Sequence, residues 1–456
     1  MRIAGWLMLV DEVAHGEGSA GRVRLSRGAV EVEGGRIVEV VEGDEESDCE
    51  LGGPGCVVMP GLIDAHVHLP QFGIVGAHGM GLLDWLTRVT FPAESAWADA
   101  EVARAQARSA IGRMLACGTT GFAAYATVHG EGARAALEVA SDMGVRAHVG
   151  QVLMDRGAPA ALCRPAGQLI DESAALLDAY PPGGRVCAAV TPRFAPTCSE
   201  NLLNAAGELA AKHGALIQTH LAETPAECGR VRELFGGSGY AQVYDDAGLL
   251  SDRAVLGHGI YLDDDERALL ASRGATIAHC PLANSFLMSG RFDRGRAIRA
   301  GVRVALGSDL GAGYEPSMVR VARAVVETAG ALAIDASARR VDRAPLPSAS
   351  EAWYAVTRGN AEALGWADGG RLSPGGVADL VVVEPTIDLP RLAGGGSVPD
   401  ALSALLFGWD DRWVRATLVR GRPPEHARRV VPCRSRGAGA HPGSSRRRQL
   451  EGGVGL

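Results

Sequence analysis

Short runs rich in β-branched and small apolar residues recur through the middle of this chain, and Ala- and Arg-rich stretches of helical character separate them. Such alternation is the signature of βα units laid around a parallel sheet. Eight runs qualify as strands, at 62–68, 119–126, 145–153, 186–194, 215–220, 254–258, 275–279 and 302–309. Eight strands close a (β/α)8 barrel, a TIM-like α/β fold with its active site at the strands' C-terminal ends.

The chain ends have a different texture. Residues 29–33 and 36–40 alternate apolar with polar side chains around Gly34-Gly35, the pattern of a half-buried hairpin. The same pattern returns in 379–383 and 414–419, so both ends are expected to pair in one small domain. The expected division is a small β-sandwich domain from 1–59 and 371–422, a (β/α)8 barrel over 60–370, and a disordered basic tail over 423–456. A length of 456 residues accommodates a large barrel with such an accessory domain.

A formal net charge of -8 argues against a nucleic-acid or anionic-membrane surface, because phosphate binding draws on clustered Lys and Arg. The tail's Arg446-Arg447-Arg448 reads as a solvated end. Nine scattered cysteines without a CxxC pair suit a reducing compartment, and the cytoplasm is expected. The apolar start Met1–Val10 runs into Asp11 and Glu12 without a small-residue cleavage site, so it reads as a first strand rather than a leader. No run approaches the roughly 18 uninterrupted apolar residues of a membrane span.

The sharpest local signal is Ile63-Asp64-Ala65-His66-Val67-His68, directly after Pro60-Gly61. Residues two apart on a strand face the same way, so His66 and His68 both turn toward the barrel mouth. An apolar strand does not bury two imidazoles without partners. His220, His258 and Asp309 each end a further strand run, which brings nitrogens and a carboxylate to the same rim. That donor set suits zinc, and iron accepts it too. Glu223, three residues past His220, either caps the first turn of the next helix or shuttles protons between a water and a substrate. Asp309 is expected both to bind the cation and to orient that water.

Taken together, these stretches resemble the guanine deaminases of the amidohydrolase superfamily, in its mononuclear branch that also holds triazine hydrolases. The resemblance runs in order from residue 60 to about 320, through Pro60–His68, Phe91-Pro92-Ala93-Glu94, Thr191-Pro192-Arg193-Phe194, Gln218–Glu223, His279-Cys280-Pro281 and Gly307-Ser308-Asp309. It implies one zinc per chain held by His66, His68, His220, His258 and Asp309, with Glu223 as acid and base. It implies further that Gln71, Arg193, Phe194 and His279, with His220 and Glu223, meet a small-molecule purine. The implied reaction replaces the amino group on C2 of guanine by water, giving xanthine and ammonia. A homodimer is implied as well. The alternative is a related mononuclear deaminase or chlorohydrolase acting on another purine, pyrimidine or triazine ring.

The residue types agree with a purine site: an Arg fork and a Gln amide read ring nitrogens and a carbonyl, while Phe stacks on a base. Arg193 read alone is equally a salt-bridged barrel residue. Of the 45 basic residues only Lys212 is lysine, and it falls in a predicted helix. Binuclear members of the resembled superfamily bridge two metals with a carboxylated lysine on the fourth strand. None lies in 186–194, so a single-cation site is expected. A non-enzymatic purine-binding barrel would lack a ligand or the glutamate, and neither is missing. His148 reads as a packed core residue, His129 is open between structural and functional roles, and part of the long excursion over about 69–118, which holds Trp85 and Trp97, is expected to close over the substrate.

Overall fold

The structure is a computed structural model that describes residues 1–11, 22–43, 49–339, 345–389 and 400–424. Four strands open the chain: β1 (Arg2–Asp11), β2 (Arg22–Glu33), β3 (Arg36–Glu42) and β4 (Leu51–Pro60). Eight follow: β5 (Leu62–His68), β6 (Thr119–Tyr125), β7 (Arg146–Leu153), β8 (Val186–Pro192), β9 (Ile217–Leu221), β10 (Ala254–His258), β11 (Thr276–His279) and β12 (Arg303–Leu306). The chain returns with β13 (Leu380–Val383) and β14 (Val414–Leu418). All eight expected runs of the middle region are strands, and they form one parallel sheet in the order β5 to β12.

The two edges of that sheet meet. Asn360, fully buried, donates from Nδ2 to the carbonyls of Ile63 on β5 (2.7 Å) and Leu306 on β12 (2.8 Å). Its Oδ1 accepts from Leu306 N at 2.8 Å. Asp309 N donates to His66 O at 2.8 Å just beyond the end of β12. One side chain thus supplies the backbone partners that an open edge lacks, and the sheet closes as a barrel.

Four barrel strands begin one or two residues later than their apolar runs, and in three of them a glycine closes the preceding helix. Gly214, Gly274 and Gly301 take positive φ (64°, 67° and 82°) after helices, and the next residue turns back to close the helix. Ala215 N bonds Ala210 O, Ala275 N bonds Leu270 O, and Val302 N bonds Ala297 O, each at 3.0 Å. Those apolar residues are buried but belong to helix C-caps rather than to the strands.

The chain ends form a second, six-stranded sheet in the order β14-β13-β4-β1-β2-β3, with β1 parallel to β4 and the other pairs antiparallel. Alternation along β4 and β13 sends Val57, Met59, Val381 and Val383 into one core, shared with Trp353 and Trp409, and Val58, Leu380 and Val382 into another. The expected basic tail lies outside the described residues, apart from Pro423 and Pro424. Among the described residues no helix is long and apolar enough to cross a membrane. Cys117, Cys163, Cys187, Cys198, Cys228 and Cys280 are free thiols.

Much of the excursion between β5 and β6 is helical. Leu82–Trp85 continues through a π-helical turn, Leu86–Thr90, into Phe91–Ser95, and the long helix Ala100–Ala116 starts at an Asp99 cap.

Candidate active site

The strand ends of the barrel carry the histidines. His66 and His68 project from β5 on the same side, with ring centroids 5.2 Å apart. His220, near the end of β9, meets them: its ring lies 4.8 Å from that of His66, and its Nε2 is 3.1 Å from His68 Nε2. Asp309, three residues past β12, places Oδ1 3.5 Å from His66 Nε2 and 3.4 Å from His68 Nε2. His258 ends β10 with Nε2 at 3.9 Å from Asp309 Oδ2. One ligand atom each from His66, His68, His220 and Asp309 falls within 4.8 Å of the others. His258 and Asp309 both hold left-handed backbone (φ 72° and 47°), a strained state for non-glycine residues that marks functional turns.

The cluster is tight enough to exclude side chains beside it. A Cβ on Gly307 would stand 2.5 Å from His66 Cβ, and one on Gly257 would stand 2.8 Å from His66 Cε1. Asp64 ties the two edge strands together beneath these residues: Oδ1 accepts from Ser308 N (2.9 Å) and His66 N (3.2 Å), and Oδ2 accepts from Ser308 Oγ. Burial pushes the Asp64 carboxyl up to about 7, against the pull of those donors.

The donor set fits one divalent cation. The His66 Nε2 and His68 Nδ1 atoms are buried without a hydrogen-bond partner. The Nδ1 of His220 has Arg193 O at 2.7 Å and that of His258 has Asn284 Oδ1 at 2.8 Å. With the proton on Nδ1, each ring offers its Nε2 lone pair to the shared space. Burial, together with the neighbouring imidazoles, holds His68 and His220 well below the usual histidine range, so they are neutral donors. Burial also lowers His66. Cys280 Sγ comes within the same reach of His258 and Asp309, but burial raises its thiol far above the usual range, which disfavours a thiolate ligand.

Glu223 sits beside this cluster with Oε2 3.4 Å from His258 Nε2, while Ser289 Oγ donates to Oε1 at 2.7 Å. Of the two readings open for Glu223, capping is taken by other residues. The helix Pro225–Leu234 is capped by Thr224 and Glu227 in a reciprocal box, with Glu227 also accepting from Glu223 N at 3.0 Å. The Glu223 carboxylate is therefore free for the site, and burial, aided by Asp309, raises its pKa.

A cleft with about 370 Å³ of empty space, its open mouth included, lies over the cluster. His68, His220, Glu223, His258 and Asp309 line it together with Gln71, Arg193 and Phe194 and the apolar Leu82, Trp85, Leu86, Leu287 and Ala312. Arg193, which sequence left open, does both things: it lines the cavity and makes a buried ion pair with Glu94 at 2.6 Å.

A family model described as the amidohydrolase family matches residues 57–423. The chain belongs to the amidohydrolase family. Similar curated proteins include the guanine deaminase of Escherichia coli K12, 35% identical over 374 residues (81% of this chain, 83% of that one). The probable guanine deaminase of Schizosaccharomyces pombe is 35% identical over 380 residues, 80% of this chain and 71% of the relative. Among solved structures, the guanine deaminase of C. acetobutylicum with guanine bound in its active site superposes with a TM-score of 0.82 at 25% identity, covering 93% of this chain and 99% of that one.

In this amidohydrolase, His279 is expected from sequence to meet the substrate. It is buried against the Phe292 ring (centroids 4.9 Å apart) and is not among the cavity-lining residues. Trp97 likewise is fully buried, its indole N–H donating to Gln106, so only Trp85 of the two expected tryptophans reaches the cavity. His129 is the N-cap residue of the helix Gly130–Asp142, and His148 stacks on Trp366 in the core. Sequence reading assigned no role to Asp64, Glu94, Asn284, Ser289 or Tyr125, whose ring stacks on His68 at 4.4 Å. Asp64 had a visible signal, since it alternates with His66 and His68 on one face of β5. Asn284 and Ser289 had none, because only the closed barrel brings them to their histidine and glutamate.

Proposed function

We propose that this amidohydrolase removes the amino group from C2 of guanine by hydrolysis, releasing ammonia and leaving xanthine. The cation would be a single zinc, with iron compatible with the same donors, held by His66, His68, His220, His258 and Asp309. When bound, such a cation lowers the pKa of a water to about 7 and so makes a nucleophile available at neutral pH. The observation that carries the reading is the placement of the Glu223 carboxylate 3.4 Å from His258, in a cavity that Arg193, Gln71 and Phe194 also line. The likeness to guanine deaminases over four-fifths of the chain supports the same substrate.

Each residue then has a task. Glu223 accepts a proton from the attacking water and delivers it to the ring nitrogen beside C2. Asp309 holds the water's remaining proton while the oxygen adds to C2. The C2–N bond of the amino group then breaks as the second water proton, held at Asp309, passes from the added oxygen to the amino nitrogen; C2=O forms and ammonia departs. Phe194 offers a ring edge or face to the base, and Arg193 donates to an acceptor on it. Leu82, Trp85 and Leu86 keep bulk water from the ring.

The test is ammonia release from guanine, adenine, cytosine and an aminotriazine by protein of measured metal content. Guanine is expected to exceed the others by at least roughly a hundredfold in kcat/KM. Equal or faster release from another ring would replace guanine with that ring.

A further inference from the structure

Gln71 and Arg193 reach the cavity from different elements, yet one buried carboxylate holds both. Glu94, 1% exposed, accepts from Gln71 Nε2 at 2.9 Å and from Arg193 Nη1 at 2.8 and 2.6 Å. An ionised carboxylate only accepts, so Gln71 can meet it through its NH₂ and through no other atom. The opposite flip would press the amide oxygen against the carboxylate. The amide oxygen, Gln71 Oε1, is consequently directed elsewhere and is buried without a hydrogen-bond partner. Its place is confined from the other side as well: a Cβ on Gly311 would stand 2.3 Å from it. Both contacts of Arg193 to Glu94 use Nη1, which leaves Nη2 outside that pair.

We propose that Glu94 is a positioning residue that sets the hydrogen-bond polarity of the cavity, fixing an acceptor at Gln71 Oε1 beside a donor on Arg193. Such a pair complements a ring that carries N–H next to C=O, the lactam edge of a 6-oxopurine. It mismatches the reversed edge of a 6-aminopurine, which would leave the buried acceptor and the guanidinium both unpaired. Glu94 touches no reacting atom. It selects through the two residues it holds, and this selection rests on the deaminase reading above.

The test compares guanine with 2,6-diaminopurine, which carries the same 2-amino group but the opposite edge at positions 1 and 6. The wild-type protein is expected to favour guanine by roughly a hundredfold or more in kcat/KM. In Glu94→Gln the neutral amide no longer forces the Gln71 flip. The preference is expected to fall at least roughly tenfold, chiefly through a higher KM for guanine rather than through kcat. Gln71→Met removes the acceptor while leaving the Glu94–Arg193 pair intact. It is expected to lose the preference in the same way, and it decides the matter should Glu94→Gln fail to fold. Metal content and thermal melting identify the folded, loaded variants. A preference within twofold of wild type in either such variant overturns the assignment of Glu94, as does a wild-type preference near unity. No ammonia release from guanine by the wild-type protein would instead overturn the deaminase reading itself, so the two failures are distinct.

Discussion

Glu223 and His258 face each other with Oε2 3.4 Å from Nε2, and both line the cavity. Ser289 secures the other carboxylate oxygen at 2.7 Å, so the carboxylate is held without help from a substrate. That geometry separates binding of the cation from movement of the proton. Glu223→Gln keeps size and the Ser289 contact but cannot take up a proton. Zinc content by atomic absorption should stay near one per chain, while ammonia release drops by roughly 10²–10⁴. Turnover within a few-fold of wild type would remove Glu223 from the reaction.

Loss of the cation should show in both stability and activity. His66 Nε2, which faces Asp309 in the cluster, is buried without a partner, so the cation-free protein retains an unsatisfied polar atom there. Chelation is expected to abolish ammonia release and lower Tm, and added zinc to restore both. At free zinc about 1,000 times Kd, binding to the native state alone contributes about 4 kcal/mol. An unchanged melting curve after complete metal removal would contradict the assigned ligand set. Asp309→Ala should lower metal content, unlike Glu223→Gln.

Gly307 has no room for a methyl group, because its Cβ would stand 2.5 Å from His66 Cβ and 3.0 Å from His66 O. Gly307→Ala must displace β5 or the Asp309 turn. A destabilisation of about 1–3 kcal/mol is expected by chemical denaturation, with metal content falling in parallel. A variant with wild-type stability and full metal would show that the turn moves freely.

His148 gives a pH dependence remote from the metal. Its Nε2 lies 3.1 Å from both Leu364 O and Trp366 Nε1, and burial lowers its pKa from 6.5 to about 4. The folded state therefore prefers the neutral ring. That contribution is complete above pH 6.5 and is lost as pH falls toward 4, where the unfolded chain binds the extra proton. Across this window His148→Gln should reduce the pH slope of unfolding free energy by up to about 1.4 kcal/mol per pH unit. Parallel slopes for the two proteins would show that His148 does not carry the effect.

The barrel was readable from the chain because period-2 side-chain alternation and helix punctuation are local properties. The apolar runs marked all eight strands, and Gly214, Gly274 and Gly301 explain why three of them start late. The histidines were readable for the same reason: a residue that ends a barrel strand is delivered to the rim whatever its neighbours are. Glu223 was open between cap and catalyst until Thr224 and Glu227 were found to cap the helix themselves. His279 also ends a barrel strand and packs its ring on Phe292, a neighbour that a strand end does not specify, because it sets height on the barrel and not what the ring meets.

What the sequence by itself determined is therefore the order of strands, the closed sheet they imply and the set of side chains brought to its rim. Tertiary structure alone decided which groups hold those side chains. Glu94 lies 99 residues from Arg193, Ser289 lies 66 from Glu223, and Asn360 stitches β5 to β12 from beyond the barrel. Periodicity acts between near neighbours along the chain, whereas a buried hydrogen bond depends on which atoms closure brings within about 3 Å of each other. No local pattern encodes that distance.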